Sequence, residues 1–186
     1  MEDPDATSRG ATIRRARKAQ RMNLINLAEK TGLSQSFISQ VERGLTNPSI
    51  NSLRKIALAL GIPLSSFFEE GLSTEGPVMR KSQRRILINT DSRLTYQLLS
   101  SNVNHRIELL LTRLEVGAAS SESPMAHKGD EAALVLQGAC KIELGDKAYE
   151  LNEGDSIYIK EKTPHKSTNT GNMPLVIISA ISPPGF

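Results

Sequence analysis

Gln35, Ser36, Ser39, Gln40 and Arg43 bring two amides, two hydroxyls and a guanidinium into one short stretch. On a helix these positions share one face. Amides pair bidentately with base edges in a major groove, Gln best with adenine, and Arg with guanine or phosphate. That chemistry is recognition, not bond-making. Against catalysis, no activated nucleophile or cofactor loop is visible, and Cys140 reads as a small buried hydrophobe.

The elements that must hold these side chains are legible around them. Residues 24–43, LINLAEKTGLSQSFISQVER, predict a helix, a turn containing Gly32, and a second helix capped by Ser34. Leu24, Leu27, Ala28, Leu33, Ile38 and Val41 form the inward face, with Ala28 expected at a close helix approach. A helix pair with a glycine turn also occurs in proteins that never touch DNA, so the turn alone does not decide. Apolar spacing up to about residue 70 predicts five short helices. Gly10 is expected before the first, Gly44 after the third, Pro48 and Gly61 around the fourth, and the fifth spans Leu64 to Glu69.

Charge divides the chain. Residues 9–62 hold ten Lys/Arg against two acids, whereas residues 86–186 hold nine against twelve. A basic segment joined to a mildly acidic one points to a polyanion partner for the first, nucleic acid or an anionic membrane. With 186 residues, 38% hydrophobic and 23% charged, the chain has room for one large domain or two small ones. A single cysteine excludes an intramolecular disulfide and a multi-thiolate metal site, which favours a reducing, cytoplasmic setting. The acidic opening MEDPDATSRG is not a secretory signal, and no apolar run reaches membrane-spanning length.

Residues 71–85 lack apolar periodicity and end in a basic cluster, so they predict a linker between domains at 1–70 and 86–186. Beyond it the pattern becomes ILIN, LTYQLLS, RIELLLTRLEV, AALVLQG, CKIEL, KAYEL, SIYIK and PLVIISAIS, divided by turn residues. Such short runs predict an all-β sandwich or barrel.

Two resemblances sharpen this. The segment from Gly10 to Pro63, above all SQSFISQVERGLTNPSINSLRKIALALGI, resembles the five-helix domain of the Cro and lambda-repressor (XRE) type. The resemblance implies phosphate contacts from Arg43, Thr46 and Asn47, and an orienting ion pair between Arg17 and Glu42. Arg14 and Lys18 are expected near the DNA backbone as well.

GAASSESPMAHKGDEAALVLQG and GDSIYIKEKTPHKSTN resemble the two signature motifs of the cupins, jelly-roll barrels that often hold a divalent metal. Position by position, the resemblance puts Met125, His127, Glu131 and His165 in the barrel. Met125 stands where the first His ligand is usual, and a thioether suits Mn, Fe or Zn poorly. Lys160 and Lys162 replace the usual Pro and Gly. Three readings follow: a two-His, one-carboxylate metal site of His127, Glu131 and His165, a metal-free pocket that binds an effector, or structural histidines. No cofactor is expected with the pocket reading.

A helix-turn-helix followed by a cupin looks like a one-component bacterial transcriptional regulator. HKGDEAALVLQG, TPHKSTNT and IISAISPPGF most resemble the repressors of putrescine utilisation and their relatives, which sense polyamines or amino-acid-derived metabolites. The resemblance implies a homodimer on a palindromic DNA operator, with no membrane partner, and a small-molecule effector near Glu131; Asp130 and Glu108 are outside candidates for a cation's partners. The rivals are a metal-dependent cupin enzyme, a dioxygenase or isomerase, tethered to DNA, and a non-specific nucleoid-binding protein.

Overall fold

The computed structural model describes residues 4–68, 77–88, 93–100 and 106–185. Residues 71–76 of the expected linker, Glu69 and Asn89 lie outside these. The chain divides into two compact units, Met1–Ser73 and Thr74–Phe186.

The first unit contains α1 (Pro4–Ala19), α2 (Leu24–Thr31), α3 (Gln35–Glu42) and α4 (Ile50–Leu60). Four α-helices replace the five expected: Leu64–Phe68 forms a 3-10 turn instead, since Pro63 and the short span leave no room for a full α-helical register. The caps are local. Asn23 accepts from the Asn26 N–H at 2.8 Å and Asn26 returns the bond to the Asn23 N–H at 3.2 Å. Ser34 accepts from Phe37 N–H at 3.1 Å and starts α3; Ser49, after Pro48, does the same for α4 through Ser52. Gly32 and Gly61 close α2 and α4 in left-handed conformation, where a side chain would be strained. Ile13, Leu27, Ile38, Val41, Leu53, Ile56, Leu60, Leu64 and Phe67 make the core.

Gly10 does not precede the first helix; it lies within α1. Its missing side chain admits the end of α3, since a Cβ there would collide with the Val41 carbonyl and sit 2.9 Å from that of Glu42. The close approach is therefore here, while Ala28 is only half-buried. Glycine costs a helix about 1 kcal/mol relative to alanine, which this packing offsets.

The second unit is all β, with strands β1 (Arg85–Ile88), β2 (Leu94–Leu98), β3 (Glu108–Leu114), β4 (Asp130–Gln137), β5 (Ala139–Leu144), β6 (Lys147–Asn152), β7 (Ser156–Ile159), β8 (His165–Asn169) and β9 (Leu175–Ser182). They form a six-stranded sheet, β1-β2-β3-β9-β4-β7, and a three-stranded one, β6-β5-β8, with antiparallel neighbours throughout. Among the described residues the sheets do not close into the expected barrel: beyond β8, pairing continues only through single bridges at Ala119–Thr168 and Met125–His165. Alternation places the core between the sheets. On β3 and β9 every second residue is buried, and Leu110, Leu114, Ile177, Ile181, Tyr96, Val135, Cys140 and Ile142 are all buried.

Candidate functional site

In the helical unit, Gln35, Ser36, Gln40 and Arg43 are exposed and Ser39 is half-buried. Gln40 Nε2 donates to Ser36 Oγ at 3.5 Å and Arg43 Nε to the Ser39 carbonyl at 3.2 Å, bonds weak enough to exchange for a ligand. Arg14, Lys18 and Asn47 are exposed and Thr46 is half-buried. The one acid of α3, Glu42, is withdrawn from this face. Arg17 holds it through Nε and Nη2 at 2.6 and 2.7 Å and gives Nη1 to the Met22 carbonyl at 2.8 Å. A surface offered to a polyanion is thereby relieved of its carboxylate. Sequence reasoning missed Arg9, whose Nη2 donates to Asn47 Oδ1 at 3.1 Å. It lies one helical turn before the buried Ile13, outside the helix pair, so no motif pointed to it.

In the β unit three of the four expected residues converge. His127 lies just before β4, Glu131 is the second residue of β4, and His165 begins β8. His127 Nε2 is 2.9 Å from Glu131 Oε2 and His165 Nε2 is 3.6 Å from the same oxygen. The histidine rings meet edge to face, 5.1 Å apart. One ligand atom from each residue falls within 4.8 Å of the others.

The backbone fixes this arrangement. Lys162 N–H donates to the His127 carbonyl at 2.8 Å, and Met125 and His165 exchange both backbone bonds at 3.0 and 2.9 Å. Met125 is thus tied beside His165 and is half-buried. His165 Nδ1 donates to the Thr163 carbonyl at 2.9 Å, which fixes the ring with Nε2 facing Glu131. His127 Nδ1 is buried without a hydrogen-bond partner among the described residues. Gly129 admits the chain at Ile181–Pro183, because a Cβ there would strike the Pro183 carbonyl and sit 2.7 Å from Ile181 Cγ2.

Burial, the largest single influence on the Glu131 carboxyl, pushes its pKa up. The His127 hydrogen bond, the nearby His165 and the Ser179 hydroxyl together outweigh it and hold the carboxyl below its ordinary value. The result is an anion whose side chain is only 12% exposed. Ser179 is a site residue that sequence reasoning missed; its signal was a lone hydroxyl on the buried phase of LVIISAIS.

The two outside candidates separate. Asp130 faces outward, taking Tyr158 OH at 2.6 Å and Glu161 N–H at 2.7 Å. Glu108 is buried and shares a cross-strand row with Glu131, since both pair with Ile181 of β9. Its Oε2 accepts from Gly185 N–H at 3.3 Å. Cys140 is buried, and burial first, then Glu150 and Asp155, pushes its thiol up to about 11, so it is no nucleophile.

Two imidazoles and a carboxylate are ligands of the kind a first-row divalent metal takes. Oxygen and nitrogen ligands on neighbouring octahedral positions at about 2.1 Å from a metal lie about 3 Å apart, and the 2.9 and 3.6 Å separations from Glu131 match that scale. The same anion suits an organic cation.

Residues 13–67 match the helix-turn-helix family and residues 110–181 the cupin domain family. The transcriptional regulator PuuR of Escherichia coli is 28% identical over 178 residues, covering 95% of this chain and 96% of its own. A crystal structure of an HTH_3 family transcriptional regulator from Vibrio cholerae superposes with a TM-score of 0.75 at 24% identity, over 95% of this chain and 96% of that one. The fold also occurs in FeII HppE, at a TM-score of 0.50 and 20% identity, over 95% and 98% of the two chains. No helix among the described residues is long and apolar enough to cross a membrane. The chain combines an XRE-type helix-turn-helix domain with a C-terminal cupin domain, as a transcriptional regulator like PuuR.

Proposed function

We propose that this chain is a homodimeric, cytoplasmic repressor whose helical heads read two half-sites of a palindromic operator and whose β unit senses a small cation. Residues 1–70 form the head, 71–85 the linker and 86–186 the sensor. Gln35, Ser36, Ser39 and Gln40 read base edges, while Arg43, Thr46, Asn47, Arg14 and Lys18 hold phosphates. The reading rests above all on the α3 face, where exposed amides and a guanidinium stand clear of the acid that Arg17 has drawn inward. Selection from random DNA duplexes by the full chain tests it: an enriched palindrome is expected, and no enrichment at moderate salt would mark a non-specific binder instead.

The effector site is Met125, His127, Glu131 and His165, with Ser179 added. A polyamine or an amino-acid-derived amine suits it, because Glu131 is a largely enclosed carboxylate held ionised and Glu108 is a buried carboxyl in the same row. Occupancy alters DNA affinity only by as much as the effector prefers one arrangement of the heads over another.

A second reading is favoured by the His165–Thr163 bond, which aims Nε2 at Glu131. There His127, Glu131 and His165 hold a divalent metal, which would supply a Lewis-acidic centre, and an enzyme tethered to DNA becomes the rival. Thermal shift of the metal-stripped chain separates them, since a ligand of the folded state raises stability by RT ln(1 + [L]/Kd). An amine shift lost in Glu131→Gln supports the sensor of cations. A shift with Fe or Mn alone, lost in His127→Ala, supports the metal.

A further inference from the structure

Arg9, early in α1, and Asn47, in the loop that leaves α3, are joined by a hydrogen bond of 3.1 Å from Nη2 to Oδ1. Two backbone features bring them together. Gly10, the next residue, lets α1 lie against the carbonyls of Val41 and Glu42, so the start of α1 reaches this loop. The loop is in turn tied back to α3, Gly44 N–H to the Val41 carbonyl at 3.0 Å and Leu45 N–H to that of Gln40 at 2.9 Å.

Asn47 is thereby fixed twice. Pro48 restricts its backbone to extended conformation, and Arg9 sets its amide. A guanidinium only donates, so the amide oxygen faces Arg9 and Nδ2, with two N–H donors, faces away. Asn47 is exposed and Arg9 half-buried. Residues 44–48, GLTNP, contain no charge of their own; Arg9 brings one to Asn47 from α1.

We propose that Arg9 and Asn47 form one clamp for a single phosphate of the DNA backbone, with Arg9 as the positioning residue for the amide and the source of its positive charge. The inference rests on the regulator reading and gives Arg9 a part in it. Asn47 Nδ2 donates to a phosphate oxygen while the guanidinium beside it attracts the same group. Because the amide is oriented before DNA arrives, binding freezes little of its rotation. The clamp reads no base, so it serves all sequences alike.

Binding of the full chain to a selected and a scrambled duplex, each at two salt concentrations, tests this. Arg9→Ala and Asn47→Ala are each expected to weaken binding to both duplexes about fivefold. The double variant should fall within about twofold of the weaker single one, whereas independent contacts would multiply to about 25-fold. Arg9→Ala also lowers the salt slope by about one. Arg9→Lys, which keeps the charge without the planar fork, recovers the slope and part of the affinity. Should urea unfolding show that Arg9→Ala loosens the helical unit, Arg9→Gln removes the charge from a side chain that suits a helix and is expected to lower the slope equally. Unchanged affinity in a folded Arg9 variant, losses that multiply in the double variant, an unmoved salt slope, or an effect confined to one duplex overturns the inference. Sequence selection by the wild type judges the regulator reading separately, since a phosphate clamp is measurable on any duplex the chain binds.

Discussion

Arg17 of α1 grips Glu42, the last residue of α3, through two hydrogen bonds of 2.6 and 2.7 Å. Both side chains are nearly out of water, 10% and 5% exposed, so the pair fixes the angle of α3 with little solvent screening. Removing one partner strands the other charge. Arg17→Ala is expected to destabilise the helical unit by about 3 kcal/mol, and Arg17→Lys to recover only part of it, because an ammonium cannot make the planar double contact. Urea unfolding of the three chains checks this; an unchanged midpoint in Arg17→Ala would show that the pair contributes nothing.

Gly10 inverts the usual rule for glycine in helices. Gly10→Ala ordinarily gains about 1 kcal/mol in a helix interior, yet here the added methyl meets the Val41 and Glu42 carbonyls. Overpacking of this kind costs about 1 to 3 kcal/mol, so a lower thermal midpoint is expected. A higher one would place α1 further from α3 than described.

Lys162 holds a left-handed backbone, φ 60°, in the turn whose N–H supports the His127 carbonyl. Glycine adopts that conformation freely. Lys162→Gly is expected to stabilise the chain by up to about 1 kcal/mol, read as a rise of a few degrees in Tm, without loss of the site.

Cys140 should be inert to thiol reagents at pH 8. Its thiol, pushed up to about 11 by burial, stays protonated in the folded chain, whereas the unfolded chain ionises near the ordinary value of about 8.5. The sign follows: this group's contribution is constant below the unfolded pKa, and stability falls as pH rises from there toward the folded value. Fast native modification by a disulfide reagent would contradict the burial.

Base-reading and phosphate-holding residues separate by specificity. Gln40→Ala is expected to relax base preference by about 1 to 3 kcal/mol at one position, whereas Lys18→Ala should weaken all sequences alike and lower the salt slope by about one. Binding arrays at two salt concentrations distinguish them.

Much of this was legible from local chemistry. Gly32 and Ser34 announced the helix-turn-helix because one ends a helix and the other caps the next without help from the rest of the fold. The alternating strands announced a β unit with its core on the buried phase. β8 escaped because HKSTN is polar, and four of its five residues are half-buried, so no alternation marks it. Gly10 was read as a boundary because its reason, the carbonyls of Val41 and Glu42, comes from a segment far along the chain. The pairing of Glu131 with Ser179 had the same limit: only the register of β4 against β9 brings them together.

Fluorescence anisotropy of a selected duplex tests the central claim, that occupancy around Glu131 governs DNA binding. The metal-stripped full chain is titrated with and without a linear diamine. The account predicts weaker duplex binding when the diamine is present, and no effect of the diamine on Glu131→Gln. Equal affinity with and without ligand in the wild type, under conditions where thermal shift shows the diamine bound, would contradict it.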